Sequence, residues 1–196
     1  MADLNLNNAE FIRSAAAPKQ FIHSPLPKIA FAGRSNVGKS SVINRLLNRR
    51  QFAKTGATPG KTVHVNYFMV DGRMYLIDLP GYGFAKVSQS ERDRWGRLME
   101  DFFSDDSTFD FGVLIVDARH RPTADDRQMT RFFRESCRSF LVVANKLDKL
   151  KKSEIEPNLA LIRETLALPA EVTLIPFSAE KGQGRDALLA EITKLV

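Results

Sequence analysis

The octapeptide GRSNVGKS, from Gly33 to Ser40, has residue types and a spacing that suit the binding of phosphate groups. It lies between an apolar run, KIAFA, and an amphipathic segment, SVINRLLN, as a phosphate loop between strand and helix requires. In such a loop the backbone N–H groups and the start of the helix converge on a β-phosphate. Lys39 then reaches the β- and γ-phosphates, and Ser40 offers its hydroxyl to Mg²⁺. The pattern predicts a nucleotide-binding loop; a glycine-rich turn without a ligand is the alternative.

The tetrapeptide NKLD, which begins at Asn145 and follows the apolar run FLVVA, indicates the base. The Asp148 carboxylate only accepts hydrogen bonds, so it can take two from adjacent N–H groups. Guanine offers such a pair and adenine does not, which favours GTP over ATP. We expect Lys146 to lay its stem over the base and Asn145 to tie this loop to the phosphate loop. The backbone N–H of Ala179, in SAEKG, is placed to bind guanine O6; a solvated NKLD turn is the alternative.

The stretch DLPGYGF, which begins at Asp78, follows the apolar run MYLI and contains residues expected beside the γ-phosphate. We expect Asp78 on the metal side and Gly81 as the γ-phosphate sensor; an ordinary acid at the end of a strand is the alternative for Asp78. Many nucleotide hydrolases place a water-orienting glutamine after this glycine, but this chain has Tyr82. Because a tyrosine cannot hold a water as an amide does, either hydrolysis is poor or another group supplies the missing chemistry.

Short apolar runs alternate with amphipathic segments along the chain, and the strand-like runs are almost continuously apolar. This pattern is typical of a parallel sheet covered on both faces. The runs VHVNYFMV and RMYLID are separated only by Asp71 and Gly72, a hairpin signal, so this pair should be antiparallel. The sequence predicts an α/β fold with a six-stranded, mostly parallel sheet, one antiparallel strand and about five helices. Residues 1–26 are expected to form an N-terminal arm, and residues 27–196 a single domain.

The composition fits that of one globular domain, with 196 residues, 43% hydrophobic residues and one cysteine. No segment resembles a signal peptide or approaches the length of a membrane span, so we expect a soluble, cytosolic protein. The three histidines lack metal-ligand spacing.

Positive charge is concentrated in the first third of the chain. The net charge is +6, yet residues 11–70 contain no Asp or Glu and ten of the 29 basic residues. A nucleotide's phosphates account for only one or two of these ten. Either they form a solvated basic face, or they bind a polyanion such as RNA.

Four segments together resemble the EngB (YihA/YsxC) family of bacterial ribosome-assembly GTPases, within the TrmE/Era/EngA/EngB class. They are GRSNVGKSSVIN, TPGKT, DLPGYGFAKVS with WGRLME after it, and VDARHRPTADDRQM. The resemblance extends from about Pro18 to the C-terminus, without a departure at a nucleotide-contacting position. It implies a three-layer P-loop GTPase fold, a GTP-binding domain over residues 27–196, and Mg²⁺-dependent GTP hydrolysis with slow intrinsic turnover.

The same resemblance implies a cellular role. It points to assembly of the large ribosomal subunit in the cytoplasm and to a requirement in normal cell division. The implied partners are GTP or GDP and ribosomal RNA or a large-subunit precursor, with no DNA, no membrane and a monomeric state. The alternative is a GTP-regulated interaction module of division-site septation without a direct ribosomal role.

The resemblance also assigns residues. It places a metal-binding threonine of the first switch at Thr62, with Thr58 as the rival, beside Ser40 and Asp78. It implies that Asn36 helps to bind a potassium ion, whereas an asparagine there could instead only stabilise the loop turn. The expected catalytic residues are Lys39, Asn36, Thr62 and Gly81. The expected nucleotide contacts are Gly33, Arg34, Ser35, Asn36, Val37, Gly38, Lys39, Ser40, Ser41, Gly60, Lys61, Thr62, Val63, His64, Asp78, Leu79, Pro80, Gly81, Asn145, Lys146, Leu147, Asp148, Phe177, Ser178 and Ala179.

Overall fold

The structure is a computed structural model that describes residues 4–49, 52–53, 63–83, 88–136 and 138–195. Within these ranges the chain forms seven strands and five α-helices, with two short 3₁₀ turns. The strands are β1 (Ala9–Ala15), β2 (Lys28–Gly33), β3 (Val65–Val70), β4 (Met74–Asp78), β5 (Phe111–Asp117), β6 (Ser139–Asn145) and β7 (Leu174–Pro176). The helices are α1 (Lys39–Leu46), α2 (Gln89–Ser104), α3 (Ala124–Glu135), α4 (Lys152–Thr165) and α5 (Arg185–Thr193).

All seven strands form one sheet, in the order β1-β3-β4-β2-β5-β6-β7. Strand β3 runs antiparallel to both of its neighbours, and the remaining pairings are parallel. In β2 and β5 every residue is buried, which explains their continuously apolar sequences. The predicted α/β class and the single antiparallel strand are therefore confirmed.

The predicted hairpin between β3 and β4 is also present. Asp71 and Gly72 have φ values of 55° and 64°, and the Arg73 N–H donates to the Val70 carbonyl at 3.0 Å. Positive φ at both central residues gives a turn whose twist matches that of the flanking strands.

The sheet has one strand more than the sequence predicted. Within the segment expected to be an arm, β1 pairs with β3 from Ala9 opposite Val70 to Ala15 opposite Val65. Five of the seven residues of β1 are exposed, so hydrophobic alternation does not mark it. Backbone pairing with β3 holds most of this edge strand, with Ala15 buried at its end and Phe11 packed against Phe68. Where the GTP-binding domain begins stays a prediction.

Two apolar layers enclose the sheet. Residues of α2, α3 and α4 pack on one face, in a cluster rich in phenylalanine that includes Phe102, Phe109 and Phe133. On the other face α1 and α5 contribute Val42, Ile43, Leu46, Leu188 and Ile192. Of the helices in the described ranges, none combines the length and apolar character needed to cross a membrane.

Candidate nucleotide-binding site

The predicted motifs, far apart in sequence, meet at one edge of the sheet. Gly33 ends β2, Asp78 ends β4, Asp117 ends β5, Asn145 ends β6 and Pro176 ends β7. These strands are parallel, so their carboxyl ends lie together, which is where open α/β sheets bind ligands.

Close packing fixes the path of the phosphate loop. A Cβ atom on Gly33 would lie 2.9 Å from the Ile115 carbonyl oxygen, so a larger residue would collide with the backbone of β5. Gly38 precedes α1 with φ at 95°, and a Cβ there would lie 2.5 Å from Asn145 Nδ2. Both glycines are therefore required by the geometry, and the first turn of α1 opens toward the strand ends.

Lys39 and Asp78 form an ion pair in the space that phosphates would take. The Lys39 ammonium contacts Asp78 Oδ1, and each side chain is only 11% exposed. Lys39 is the first residue of α1, so the pair lies at the N-terminus of a helix, where anions bind favourably. The two residues predicted to act on phosphate and metal are thus brought together.

The donor set suits Mg²⁺. Ser40, in the first turn of α1, and Asp78 supply a hydroxyl and a carboxylate, the hard oxygen donors that Mg²⁺ prefers. The described residues contain no cluster of three or more His, Cys, Asp or Glu side chains able to hold a metal. Mg²⁺ usually keeps several waters and is held by one or two carboxylates together with substrate phosphates. Thr62, the third predicted ligand, lies outside the described residues, as do Thr58, Gly60 and Lys61.

Asn145 joins the base side of the site to the phosphate loop, as the sequence predicts. Its Nδ2 donates to the Val37 carbonyl at 3.0 Å, and its Oδ1 accepts from the Ala179 N–H at 3.1 Å. The side chain is almost fully buried. The Ala179 N–H predicted to bind guanine O6 is therefore engaged with Asn145 in this structure, and it must turn or be shared to reach a base.

Asp148 has the properties expected of a residue that reads the base. Its side chain is 8% exposed, its Oδ1 accepts from Ser178 Oγ at 2.6 Å, and its Oδ2 lies 3.3 Å from Lys149 Nζ. The hydrogen bond from Ser178, helped by Lys149, holds the pKa of Asp148 below its usual value. The group is thus an ionised acceptor at neutral pH, with its orientation fixed by a neighbouring loop.

Four predicted contact residues have their side chains in the core. Val37, Leu79, Leu147 and Phe177 are 3% exposed or less. Only their backbone groups are available to a ligand; for example, the Leu147 N–H already donates to the Phe177 carbonyl at 3.0 Å. Val63 and His64 are partly buried and come just before β3.

The sequence did not single out the arginine that supports the SAEKG loop. Arg45 in α1 donates from Nε to the Ala179 carbonyl at 2.7 Å and from Nη2 to the Glu180 carbonyl at 2.8 Å. No sequence signal marks it, because both acceptors are backbone carbonyls more than 130 positions away. Asp117 was also missed, although it lies in the quoted segment VDARHRPTADDRQM; it contacts Lys146 at 2.9 Å.

Asn36 adopts a left-handed backbone conformation, with φ at 65°, and is exposed. Its carbonyl accepts a hydrogen bond from Lys146 Nζ at 2.6 Å. Asparagine is enriched among residues with positive φ, so this conformation accounts for the residue type without any bound ion. The potassium role of Asn36 stays a prediction.

Tyr82 is a buried structural residue. It is 4% exposed, and its hydroxyl donates to Asp126 Oδ1, in α3, at 2.9 Å. Its carbonyl accepts from Ser35 in the phosphate loop, from the backbone N–H at 2.8 Å and from Oγ at 3.0 Å. Burial, and then the negative charge of Asp126, raise the pKa of Tyr82 well above its ordinary value, so the hydroxyl stays a donor. Tyr82 thus contacts both the phosphate loop and α3, and its hydroxyl is bonded to Asp126.

Tyr82→Phe should destabilise the fold. The change leaves one oxygen of the buried Asp126 carboxylate without its donor, while Asp126 Oδ2 keeps the Thr123 N–H at 2.7 Å. An unsatisfied buried acceptor costs about 1–3 kcal/mol, so we expect the free energy of unfolding in urea to fall by that amount. Tyr75→Phe removes the hydroxyl of a partly exposed tyrosine and should change it by less than about 0.5 kcal/mol. Equal stability of Tyr82→Phe and the parent protein would contradict this role.

Comparison with known proteins agrees with this geometry. A family model described as "50S ribosome-binding GTPase" matches residues 28–146, and one described as "Elongation factor Tu GTP binding domain" matches residues 100–196. A probable GTP-binding protein EngB of Geobacillus thermodenitrificans is 43% identical over 189 residues, which cover 96% of this chain and 97% of that protein. Its counterpart in Oceanobacillus iheyensis is 42% identical over 193 residues, covering 98% and 99%.

Solved structures give the same result. The crystal structure of a probable GTP-binding protein EngB superposes with a TM-score of 0.71 at 28% identity, over 86% of this chain and 97% of that one. The FeoB G-domain from Methanococcus jannaschii has a TM-score of 0.57 at 24% identity, over 88% and 98%, and so shares the fold alone. From its family match and its near full-length relatives, the chain belongs to the EngB family of P-loop GTPases, which hydrolyse GTP.

Proposed function

We propose that this protein is a GTP-dependent molecular switch of the cytoplasm, which requires Mg²⁺, is stimulated by K⁺ and acts in assembly of the large ribosomal subunit. The observation that carries the choice of nucleotide is Asp148, an ionised carboxylate only 8% exposed, at the same strand edge as the phosphate loop. An adenine nucleotide would offer this carboxylate none of the N–H donors that guanine offers, and the loss of those bonds at a buried group favours guanine on the order of 10⁴-fold.

The residues at the phosphate side have distinct tasks in this proposal. Lys39 leaves Asp78 and binds phosphate oxygens, and the N–H groups at the start of α1 receive the negative charge. Ser40 and Asp78, with Thr62 from the first switch, would hold Mg²⁺, which when bound neutralises charge between the β- and γ-phosphates.

Switching would begin at Gly81. A Cβ there would lie 3.1 Å from Ser35 Oγ, so the chain at Gly81 packs tightly against the phosphate loop. The next residue, Tyr82, connects this segment to α3 through Asp126. A γ-phosphate that binds Gly81 therefore acts on a segment coupled to two other parts of the fold, and the first switch, predicted between α1 and β3, would order with it.

Support for a ribosomal target comes from the family description, from the sequence resemblance and from positive charge. Part of that charge serves the fold: Lys28 is 4% exposed and lies 3.1 Å from Asp110, and Lys39 and Arg45 have internal partners of their own. Arg13, Lys19 and Arg49 are exposed and are the described candidates for a polyanion, although Arg49 also donates a hydrogen bond to the Asn7 carbonyl. Arg50, Lys54 and Lys61 lie outside the described residues. The basic stretch is thus a smaller candidate RNA surface than its count of ten residues implies.

Co-sedimentation with isolated large ribosomal subunits tests the proposal. We expect association with GTP or a non-hydrolysable analogue, and weaker association with GDP or without nucleotide. Association that is equal in all three conditions would contradict a switch. No association in any of them, with GTP binding intact, would remove the ribosomal target.

Simultaneous replacement of Arg49, Arg50 and Lys54 by alanine should weaken this association and flatten its salt dependence. The log–log slope should fall by roughly one unit for every phosphate that the protein no longer neutralises. Arg49 is exposed, its guanidinium carbon lies 5.6 Å from the centre of the Phe52 ring, and none of the three residues is among the predicted nucleotide contacts. Nucleotide affinity should therefore barely change.

The matched control removes equal charge from another surface: Arg127, Arg131 and Lys152, all exposed, replaced by alanine. Its salt slope should equal that of the parent protein. If the first triple replacement leaves the salt slope unaltered, Arg49, Arg50 and Lys54 belong to an ordinary solvated surface and do not contact RNA.

A further inference from the structure

Asp117 is a nearly buried carboxylate at the end of β5, opposite Asn145 in the adjacent strand β6, and it has no assigned role. It accepts from Arg119, at 2.9 Å from Nε and 2.8 Å from Nη2, and from the Arg119 N–H at 3.1 Å. Its Oδ2 also lies 2.9 Å from Lys146 Nζ. Burial alone would raise the pKa of Asp117, but the bonds from Arg119 and Lys146 outweigh burial and hold its pKa well below its usual range.

Two separate parts of the fold, the end of β5 and the phosphate loop, therefore hold the tip of the Lys146 side chain. Its Nζ contacts Asp117 at one side and donates to the Asn36 carbonyl of the phosphate loop, at 2.6 Å, on the other. Its backbone is left-handed, with φ at 71°, and its side chain is 25% exposed. A free lysine side chain has many rotamers, and ordering it costs up to about 2 kcal/mol. A stem that is already ordered does not incur this cost when a base binds.

We propose that Asp117 is a positioning residue that holds the Lys146 stem in place over the base and so slows nucleotide dissociation. This inference rests on the proposed guanine-nucleotide site. The Asn36 carbonyl is a neutral acceptor on an exposed loop residue, whereas Asp117 is a charged acceptor on a buried strand end. Arg119 donates to the same carboxylate from two nitrogen atoms. This bidentate contact fixes the orientation of the Asp117 carboxylate toward Lys146.

The first test is Asp117→Asn, which keeps the shape of the side chain and removes its charge. Dissociation of GDP carrying a fluorescent N-methylanthraniloyl group should become roughly 10- to 100-fold faster, as expected when a charged hydrogen bond is removed. Affinity for IDP, which lacks the 2-amine, should fall by the same factor as affinity for GDP, because Asp148 is untouched. Asp125→Asn makes the same chemical change at an exposed position and should leave dissociation unchanged.

A double-mutant cycle separates positioning from a general structural effect. In a Lys146→Gln background, Asp117→Asn should cause no further acceleration, because the group on which it acts is gone. Acceleration of the same size in that background would overturn the inference, as would unchanged dissociation from Asp117→Asn alone. A parent protein that binds no guanine nucleotide would instead refute the proposed function, so the two failures are distinguishable.

Discussion

Asp148→Asn should cost the protein most of its affinity for GTP and give it affinity for XTP. The asparagine amide presents a hydrogen-bond donor where the carboxylate accepted. This donor faces the 2-amine of guanine, which is also a donor, so no hydrogen bond forms. Xanthine has a carbonyl at that position, so the same donor finds a partner there. The local fold should tolerate the change because Ser178 Oγ, now 2.6 Å from Asp148 Oδ1, can still donate to the amide oxygen.

A buried group left without its partner costs at least about 1–3 kcal/mol, so GTP binding should weaken by roughly tenfold to a hundredfold or more. Titration calorimetry with GTP and XTP measures both changes. Asp186→Asn is the matched control, because the Asp186 side chain is 97% exposed and the substitution is identical. Unchanged GTP affinity in Asp148→Asn would remove this residue from the base site.

The parts of the site that sequence could predict are those that backbone geometry imposes. Gly33 is required because β5 packs closely against it, and Gly38 because its φ is positive. Requirements of this kind place glycines at fixed positions in the sequence, where they can be recognised. The convergence of the loops also follows, since parallel strands bring their carboxyl ends to one edge. Asn145 is an example. Its predicted contact with the phosphate loop is the hydrogen bond from its side-chain amide to the Val37 carbonyl.

The parts that sequence could not predict depend on long-range partners. Tyr82 could be recognised as unsuited to orienting a water, but its bond to Asp126 joins positions 44 residues apart. In the same way, a count of basic residues cannot reveal that Lys28 is paired inside the protein with Asp110. Strand β1 was missed because backbone pairing at a sheet edge leaves little trace in side-chain pattern.

Tyr82 is not placed to stabilise the charge that develops on the phosphates during hydrolysis, so another group must do so. With the Tyr82 hydroxyl bonded to Asp126, we expect a cation bound with the help of Asn36 to add to the stabilisation that Lys39 and Mg²⁺ supply. GTP turnover should then be faster in KCl than in NaCl at equal ionic strength, by on the order of tenfold or more, below the 10³–10⁵ that an arginine finger supplies.

Asn36→Gly is the variant that isolates the side chain. Glycine keeps the left-handed conformation, φ 65°, which alanine would strain, and it removes only the side chain whose amide oxygen would bind the ion. The difference between the two salts should disappear in this variant. GTP binding should survive, because Lys39, the loop N–H groups and Asp148 remain. Tyr82→Phe should keep the difference, since its hydroxyl orients no water.

If turnover is equally slow in both salts and Asn36→Gly changes nothing, the cation mechanism fails. The left-handed turn would then be a sufficient reason for the asparagine. The charge that develops between the phosphates would still need a neutralising group. No other residue of the predicted catalytic set is expected to supply that group. We then expect it to come from the partner, and turnover should rise when large ribosomal subunits are added.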